Sequence, residues 1–446
     1  MGRDLDTVTP GAGGVTTASE GRMERVVIGK LTWRLVPFLF LLYIVAYLDR
    51  INVGFAALQM QPRLHLNDAQ YGLGSGICFF VGYFLFQVPS NLVLQRVGAK
   101  RWIAVLMMIW GVISSAMIFV TSVRSFYTVR FLLGAAEAGF YPGVIFYLRS
   151  WFPLSARART VARFMTAAPL SGVVGGPISG VLLNLQGRLG MAGWQWLFLM
   201  EGLPAILLGG VVMVYLTNRA EDAHWLTEEQ RTWLLDRLGR EQTGSVAGEG
   251  SGKFAAFGIA GVWALAFVYF GLNTVSYGMS MWLPNLIHSL SGVGNVVIGL
   301  LSAIPYLAAV LVMMWVGLHS DRTGERRWHI AVPAFAGAAA LGVAAYSHSM
   351  VLSIVAFSVA VLGVFSMVAP VWALATGRLS GAAAAVGIAL INSVGNLGGG
   401  FGPYIIGFIR NLTGTFQGGL LVVGAVLGSA GVMALLVRPE ARRETV

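Results

Sequence analysis

Long apolar runs alternate along this chain with short stretches that carry Gly, Pro or charge. An apolar helix needs about 20 residues to cross a bilayer. Runs of that order fall at about 35–57, 71–94, 102–120, 125–147, 161–183 and 196–217, and again at about 257–283, 294–318, 329–347, 351–375, 385–409 and 416–437. The pattern predicts an all-α, polytopic membrane protein. It has a tail over 1–32, a six-helix half over 33–217, a linker over 218–256, a second six-helix half over 257–438 and a short tail over 439–446.

The two halves repeat each other at an offset of 226 residues. Asn91, Gln95, Arg96, Gly98, Lys100 and Trp102 recur as Gly317, Asp321, Arg322, Gly324, Arg326 and Trp328, and Gly172, Gly176 and Pro177 recur as Gly398, Gly402 and Pro403. Twelve transmembrane helices in two pseudo-symmetric halves suit a transporter, with the substrate site between the halves near mid-membrane.

Composition agrees with the pattern. The chain is 56% hydrophobic and 11% charged, whereas a soluble domain is about a quarter charged. The net charge of +11 reads as topology. With both termini in the cytoplasm, 24 of the 30 Lys and Arg residues lie on that side, Arg63, Arg124, Arg188 and Arg410 lie outside, and Arg50 and Arg130 lie within spans. This is a positive-inside asymmetry, so nucleic acid is not expected as a partner. The single Cys78 excludes intrachain disulfides and cysteine-rich metal sites. Residues 1–22 have no apolar core and read as neither signal peptide nor folded domain. In the linker, Thr227 and Gln230 fit a capping box before a short helix bearing Trp233, Leu234 and Leu238. That helix is expected on the cytoplasmic membrane face, and Thr243 to Gly252 reads as a flexible tether.

The candidate chemistry begins with charges inside spans: Asp49 and Arg50 in the first, Arg130 and Glu137 in the fourth, and Glu201 in the sixth. An ionisable group at membrane depth costs a few kcal/mol or more and usually faces a cavity or a partner. Neighbours on a helix point about 100° apart, so Asp49 and Arg50 must each find something else. Arg130 and Glu137, seven apart, share a face. At the repeat offset these five positions become Val275, Ser276, Ala356, Gly363 and Leu427, so the scaffold itself does not require the charges. One reading makes them salt bridges that order the N-terminal half. The other has Arg50 or Arg130 hold an anion while Asp49 and Glu137 exchange protons. Glu201 reads as structural, close to a membrane interface.

A second, uncharged set belongs to the other half. Tyr269, Asn273 and Tyr277 recur every four residues on the seventh span, and Asn392 and Asn396 are four apart on the eleventh. Each set forms one helical face, suited either to interhelical hydrogen bonds or to substrate oxygens. Trp282–Asn285 marks the outer end of the seventh span, where a helix break could act as a gate. His288, His319, His329 and His348 lie near span ends with no metal-like spacing. The Gly398–Gly402 run lacks the strand and Lys of a nucleotide loop, so close helix packing is its expected role.

The motif Gly317-x-x-x-Asp321-Arg322-x-Gly324-x-Arg326-Arg327 resembles the loop signature of the major facilitator superfamily, and its first copy is degenerate, with Asn91 and Gln95 in place of Gly and Asp. The first span from Leu42 to Gly54, Val88–Asn91, the stretch Arg130–Gly139 and Trp196–Pro204 are similar to the anion:cation symporter family within it, and the likeness runs from about residue 30 to 438. The resemblance implies proton-driven uptake of an organic anion across the bacterial inner membrane. Carriers of tartrate-like, aromatic and sugar acids are among the similar members. It assigns proton coupling to Asp49 and Glu137 and carboxylate binding or charge pairing to Arg50 and Arg130. Gating falls to Arg96, Gly98, Lys100, Gly317, Asp321, Arg322, Gly324 and Arg326, with an interdomain ion pair through Gln95 unavailable. A monomer without cofactor is expected. A proton-coupled drug exporter and an uncoupled facilitator share the fold, while no nucleophile–base pair or metal constellation suggests an enzyme.

Overall fold

The structure, a computed structural model, describes residues 13–245, 255–378 and 381–437. It is helical throughout these residues. The first group of membrane segments comprises α1 (Gly13–Leu64); α2 (Asp68–Gly72), a π-helical turn (Leu73–Cys78) and α3 (Phe79–Val97); α4 (Ala99–Ser115); α5 (Val123–Glu137) with α6 (Phe140–Trp151); α7 (Leu154–Met165) with α8 (Ala167–Leu183); and α9 (Gly193–Tyr215). After the linker helix α10 (Glu228–Ser245) come α11 (Ala260–Ser291), α12 (Asn295–Thr323), α13 (Trp328–Tyr346), α14 (Met350–Arg378), α15 (Gly381–Thr413) and α16 (Gln417–Leu436). Among the described residues, 11 segments are long and apolar enough to cross a bilayer. The 33-residue α15 stands where the sequence places the eleventh span.

Glycines set how closely the helices approach. A Cβ at Gly111 of α4 would come within 2.8 Å of Gly202 O on α9. Gly398 and Gly402 press α15 against the Phe270 and Thr274 carbonyls of α11 in the same way. Backbone contact of this kind supplies the dispersion that lipid, as apolar as Leu, cannot supply by exclusion.

The same device joins the two halves, toward one end. A Cβ at Gly54 would fall 2.6 Å from Ser280 O, at Gly72 2.6 Å from Pro403 O, and at Gly180 2.6 Å from Asn295 O, while Gly176 and Gly299 face each other's carbonyls. Polar links reinforce this end. The Tyr71 hydroxyl reaches Met281 O at 2.9 Å and Val53 O at 3.1 Å, Arg410 pairs with Asp68 at 2.9 Å, and Asn295 Nδ2 donates to Asn184 Oδ1 at 3.1 Å. These residues lie at the end remote from the start of α1 and from the linker. At the linker end, no hydrogen bond or ion pair joins the halves among the described residues.

Three sequence expectations change here. Residues 13–22 are helical and run without interruption into the first span, and the 52-residue α1 is roughly 78 Å long at 1.5 Å per residue, well beyond a bilayer. Its extension is anchored, since Val27 and Leu31 are fully buried, Lys30 donates to Gln230 at 3.0 Å and Ser155 donates to Glu24 at 2.8 Å. The linker helix has the Thr227–Gln230 capping box, but its apolar side packs on protein. Leu234 is buried, Trp225 stacks on Trp151 at 5.6 Å, and Glu241 accepts from the Leu154 amide at 3.0 Å. Of the expected tether, Thr243 to Ser245 finish α10, and 246–252 lie outside the described residues. Finally, α11 is unbroken through Pro284. Trp282 is locked rather than loose, donating to Pro403 O at 2.9 Å and meeting Tyr71 edge-on at 4.9 Å.

Because Gly176 and Gly299 leave no room for a side chain, Gly176→Val will hold the halves apart at this end. In a Cys78→Ser background carrying Asn184→Cys and Asn295→Cys, a short bifunctional thiol reagent should cross-link the two positions efficiently. Adding Gly176→Val should abolish the cross-link while the protein remains folded.

Candidate functional site

Asp49 and Arg50 diverge as the helix requires. Arg50 Nε donates to Glu137 Oε2 at 2.6 Å, and Nη1 reaches the Tyr277 hydroxyl at 3.3 Å. The guanidinium also lies over Tyr83 at 5.1 Å and Phe79 at 5.8 Å, where the ring faces favour a cation. Asp49 turns the other way, accepting from Ser114 and, at 3.2 Å, from Asn52 Nδ2. Glu137, the last residue of α5, sits where the fourth segment bends through Ala138 and Gly139. The pairing of Arg50 with Glu137 crosses from α1 to α5, so the shared face of Arg130 and Glu137 does not make them a pair.

Arg130 is fully buried. Its Nη2 donates to Ser75 O at 3.1 Å, inside the π-helical turn, and its guanidinium covers Phe79 at 4.8 Å. π-turns are often found at functional sites, and here the turn's carbonyl holds a membrane-depth cation in place. Several buried polar atoms have no protein partner: Asp49 Oδ2, Arg50 Nη2, Glu137 Oε1, and Arg130 Nε and Nη1. Buried donors and acceptors are nearly always satisfied, so these five atoms are where the charged set remains unsatisfied within the protein.

From the other half, Tyr277 reaches Arg50 and lies 4.8 Å edge-on from Phe80 and 6.4 Å from Tyr47. Asn273 is spent on packing, donating to Gly395 O across α11 and α15 at 3.1 Å. Tyr269 packs edge-on to Trp372 at 5.1 Å. Asn392 and Asn396 are half-buried, with no hydrogen-bond partner among the described residues. Of the five uncharged candidates, therefore, Tyr277 alone is shown in contact with the charged set. The sequence reading missed Tyr43, Tyr47, Tyr83, Ser114 and Asn52 as members. A tyrosine three residues before Arg50 on the same helix was the available signal for Tyr47, whereas nothing in the apolar run of α4 marks Ser114.

Glu201 is enclosed by protein. It is 5% exposed, enclosed by α1, α4 and α8, and accepts from Ser179 Oγ at 3.1 Å.

The two loop motifs differ as their residues do. In the second copy Arg326 pairs with Asp321 at 2.6 Å and reaches Ser320 Oγ at 3.0 Å. Gly324, at φ +67°, closes α12 by donating to Ser320 O at 3.0 Å, a left-handed cap that suits glycine. Arg322 is exposed, and Gly317 borders Ala369 of α14. In the first copy Gly98 takes φ +89°. Gln95, Arg96 and Lys100 form no ion pair among the described residues. His319 and His329, treated separately in sequence, meet at 2.7 Å beside Glu325. Among the described residues no group of three or more His, Cys, Asp or Glu is arranged to hold a metal.

Similar proteins place this geometry. A family model described as the Major Facilitator Superfamily matches residues 39–403. A putative tartrate transporter of Agrobacterium vitis is 48% identical over 93% of this chain and 92% of its own. A quinolone resistance transporter of Acinetobacter baumannii is 38% identical over 94% of this chain and 97% of its own. Among solved structures, a bacterial homologue of the human lysosomal transporter Spinster, inward-facing and unoccupied, superposes with a TM-score of 0.74 at 17% identity, over 91% of this chain and 96% of that one. These proteins are transporters rather than enzymes. Two six-helix groups, a buried charge cluster on α1 and α5, and a family match across most of the sequence lead to one conclusion: the chain belongs to the major facilitator superfamily.

Proposed function

We propose that the protein imports a small organic anion together with protons across the bacterial inner membrane, and that the Arg50–Glu137 ion pair is the coupling device. Arg50 has one strong anionic partner, the Glu137 carboxylate at 2.6 Å. A substrate carboxylate arriving at the same guanidinium competes with it. Protonating Glu137 removes the competitor and leaves a buried cation in need of an anion, a costly state. Proton binding therefore favours anion binding, and loss of the proton returns Arg50 to Glu137 and expels the anion.

The remaining residues fit around this exchange. Asp49, with Oδ2 unpartnered, is the second proton acceptor. Arg130, fully buried and turned to the Ser75 carbonyl, fixes the local field rather than touching substrate. Tyr277 reports the state of Arg50 to the other half, because its link is broken whenever the guanidinium turns to a ligand. Tyr269, Asn392 and Asn396 offer hydroxyl and amide groups to the rest of the substrate, and Asn273 holds their helices together.

The positive-inside asymmetry assigns the linker end to the cytoplasm. The glycine-packed end then faces outward, closed, and the halves are unlatched inside. In that assignment the Asp321–Arg326 loop acts on the cytoplasmic side, beside the opening. The tartrate transporter name of the A. vitis relative supports an organic acid as cargo. The quinolone resistance relative favours export as the second reading, but two buried arginines suit an anion better than a cationic drug. Resistance without acid uptake would decide for export.

In lightly buffered, de-energised cells, adding the correct carboxylate should raise external pH, and uptake should increase as external pH falls because Glu137 must gain a proton. Glu137→Gln should abolish both the alkalinisation and accumulation while retaining substrate exchange. Accumulation with an unchanged proton requirement would reject Glu137. Arg50→Ala should weaken half-saturation about thirtyfold or more, corresponding to about 2 kcal/mol for removing one partner of a buried charge pair. Unaltered affinity would take Arg50 out of the anion site.

A further inference from the structure

At the linker end a cavity of about 910 Å³ lies where α3 stops and α4 starts, where α6 gives way to α7, and just beyond α9, with the linker helix α10 along its other side. That is the size of a small-molecule site, and the exchange at Arg50 does not use it. Its walls are fixed by backbone contacts. Arg157 Nη2 donates to Phe152 O at 3.0 Å and to Arg149 O at 3.3 Å, the Tyr147 hydroxyl donates to Thr217 O at 2.9 Å, and both Glu241 carboxylate oxygens accept from the Leu154 amide at 3.0 Å. The turn at Gly98, at φ +89°, lies so close to Asn218 that a Cβ there would be 2.9 Å from its Oδ1.

Four arginines line this space, Arg96, Arg149, Arg157 and Arg219, against two glutamates, Glu221 and Glu241. Glu241 is already committed to the Leu154 amide and to Arg157 at 3.6 Å. Arg96, Arg149 and Arg219 form no ion pair among the described residues. The planar fork of a guanidinium matches the oxygens of a phosphate. The same lining carries Val97, Phe146 and Leu154, which are 39, 44 and 62% exposed. Val97 and Phe146 belong to segments long and apolar enough to cross a bilayer, so the cavity sits at the depth where headgroups meet acyl chains. Basic pockets between membrane helices recognise anionic headgroups. A free phosphate ion would match the arginines but not the apolar side chains beside them.

We propose that this cavity binds a phosphate group, carried by an anionic phospholipid of the adjoining leaflet whose acyl chains begin against Val97, Phe146 and Leu154. Occupied, it ties the linker helix to the first loop motif, because Leu235 and Leu238 of α10 line the same space as Arg96 and Arg219. Naming that leaflet cytoplasmic rests on the orientation proposed above, but the cavity and its charge do not.

Thermal unfolding of the full chain, purified in detergent, tests the site without a transport assay. Dioleoyl-phosphatidylglycerol should raise the unfolding midpoint, and phosphatidylcholine with the same chains should raise it much less. In Arg96→Gln/Arg149→Gln/Arg219→Gln the lipid concentration needed for half the effect should rise about tenfold or more. A control variant, Arg22→Gln/Arg25→Gln/Arg163→Gln, removes as many exposed charges outside the cavity and should respond like the parent. An equal loss in the control would reduce the effect to general attraction and overturn the site. No midpoint shift with phosphatidylglycerol overturns the proposal outright. A shift of the same size from inorganic phosphate at the same concentration keeps the anion site and overturns the lipid. Should the triple variant fail to fold, Arg149→Gln and Arg219→Gln singly read the same shift, and an unchanged response in both overturns the site.

Discussion

A guanidinium that cannot be left alone governs this molecule. At the depth of Arg50 and Arg130, water no longer compensates a charge, and each cation must be matched by an anion, a carbonyl or a ring face. Arg130 has a permanent answer in the Ser75 carbonyl and Phe79. In the proposed function Arg50 has a conditional one, since a proton on Glu137 would neutralise its partner and Tyr277 belongs to the other half. The difference divides the two arginines into a fixed post and a switch.

What the switch can move is set by glycine. At the closed end the halves meet through the backbones of Gly54, Gly72, Gly176 and Gly180, held by contacts that are individually weak. The polar links there are a tyrosine hydroxyl, one amide pair and the partly buried Asp68–Arg410 pair. An interface of this kind can open when a few kcal/mol shift elsewhere. Within each half the Gly111–Gly202 and Gly398–Phe270 crossings use the same close backbone approach.

The fold was largely legible in the sequence because lipid imposes length and apolarity on every span, and the repeat supplied the pairing of halves. The membrane charges were legible for the same reason, as Asp49, Arg50, Arg130, Glu137 and Glu201 are conspicuous in apolar runs. Their partners were not. Helical periodicity reports which residues share a face of one helix, and it suggested Arg130 with Glu137. The ion pair that forms, Arg50 with Glu137, depends on how α1 crosses α5 and on a bend at Gly139 that lets the Ser90 hydroxyl approach its backbone. Likewise Asn273 and Asn396 look equivalent as amides on the seventh and eleventh spans, yet the first is consumed in packing and the second has no hydrogen-bond partner among the described residues.

The asymmetry of the repeat then acquires a physical meaning. Duplicating the charges in the second half would bury a second cation–acid set and double the desolvation cost. Concentrating them in α1 and α5 leaves the other half apolar enough to slide. It needs one polar contact to sense the switch, and Tyr277 provides it with a hydroxyl that can accept from Arg50 or release it without stranding a charge. A carboxylate at that position would bind Arg50 too strongly to let go, and a phenylalanine would not register the guanidinium at all. Tyrosine lies between these extremes, which suits the reversible link that the proposed exchange requires.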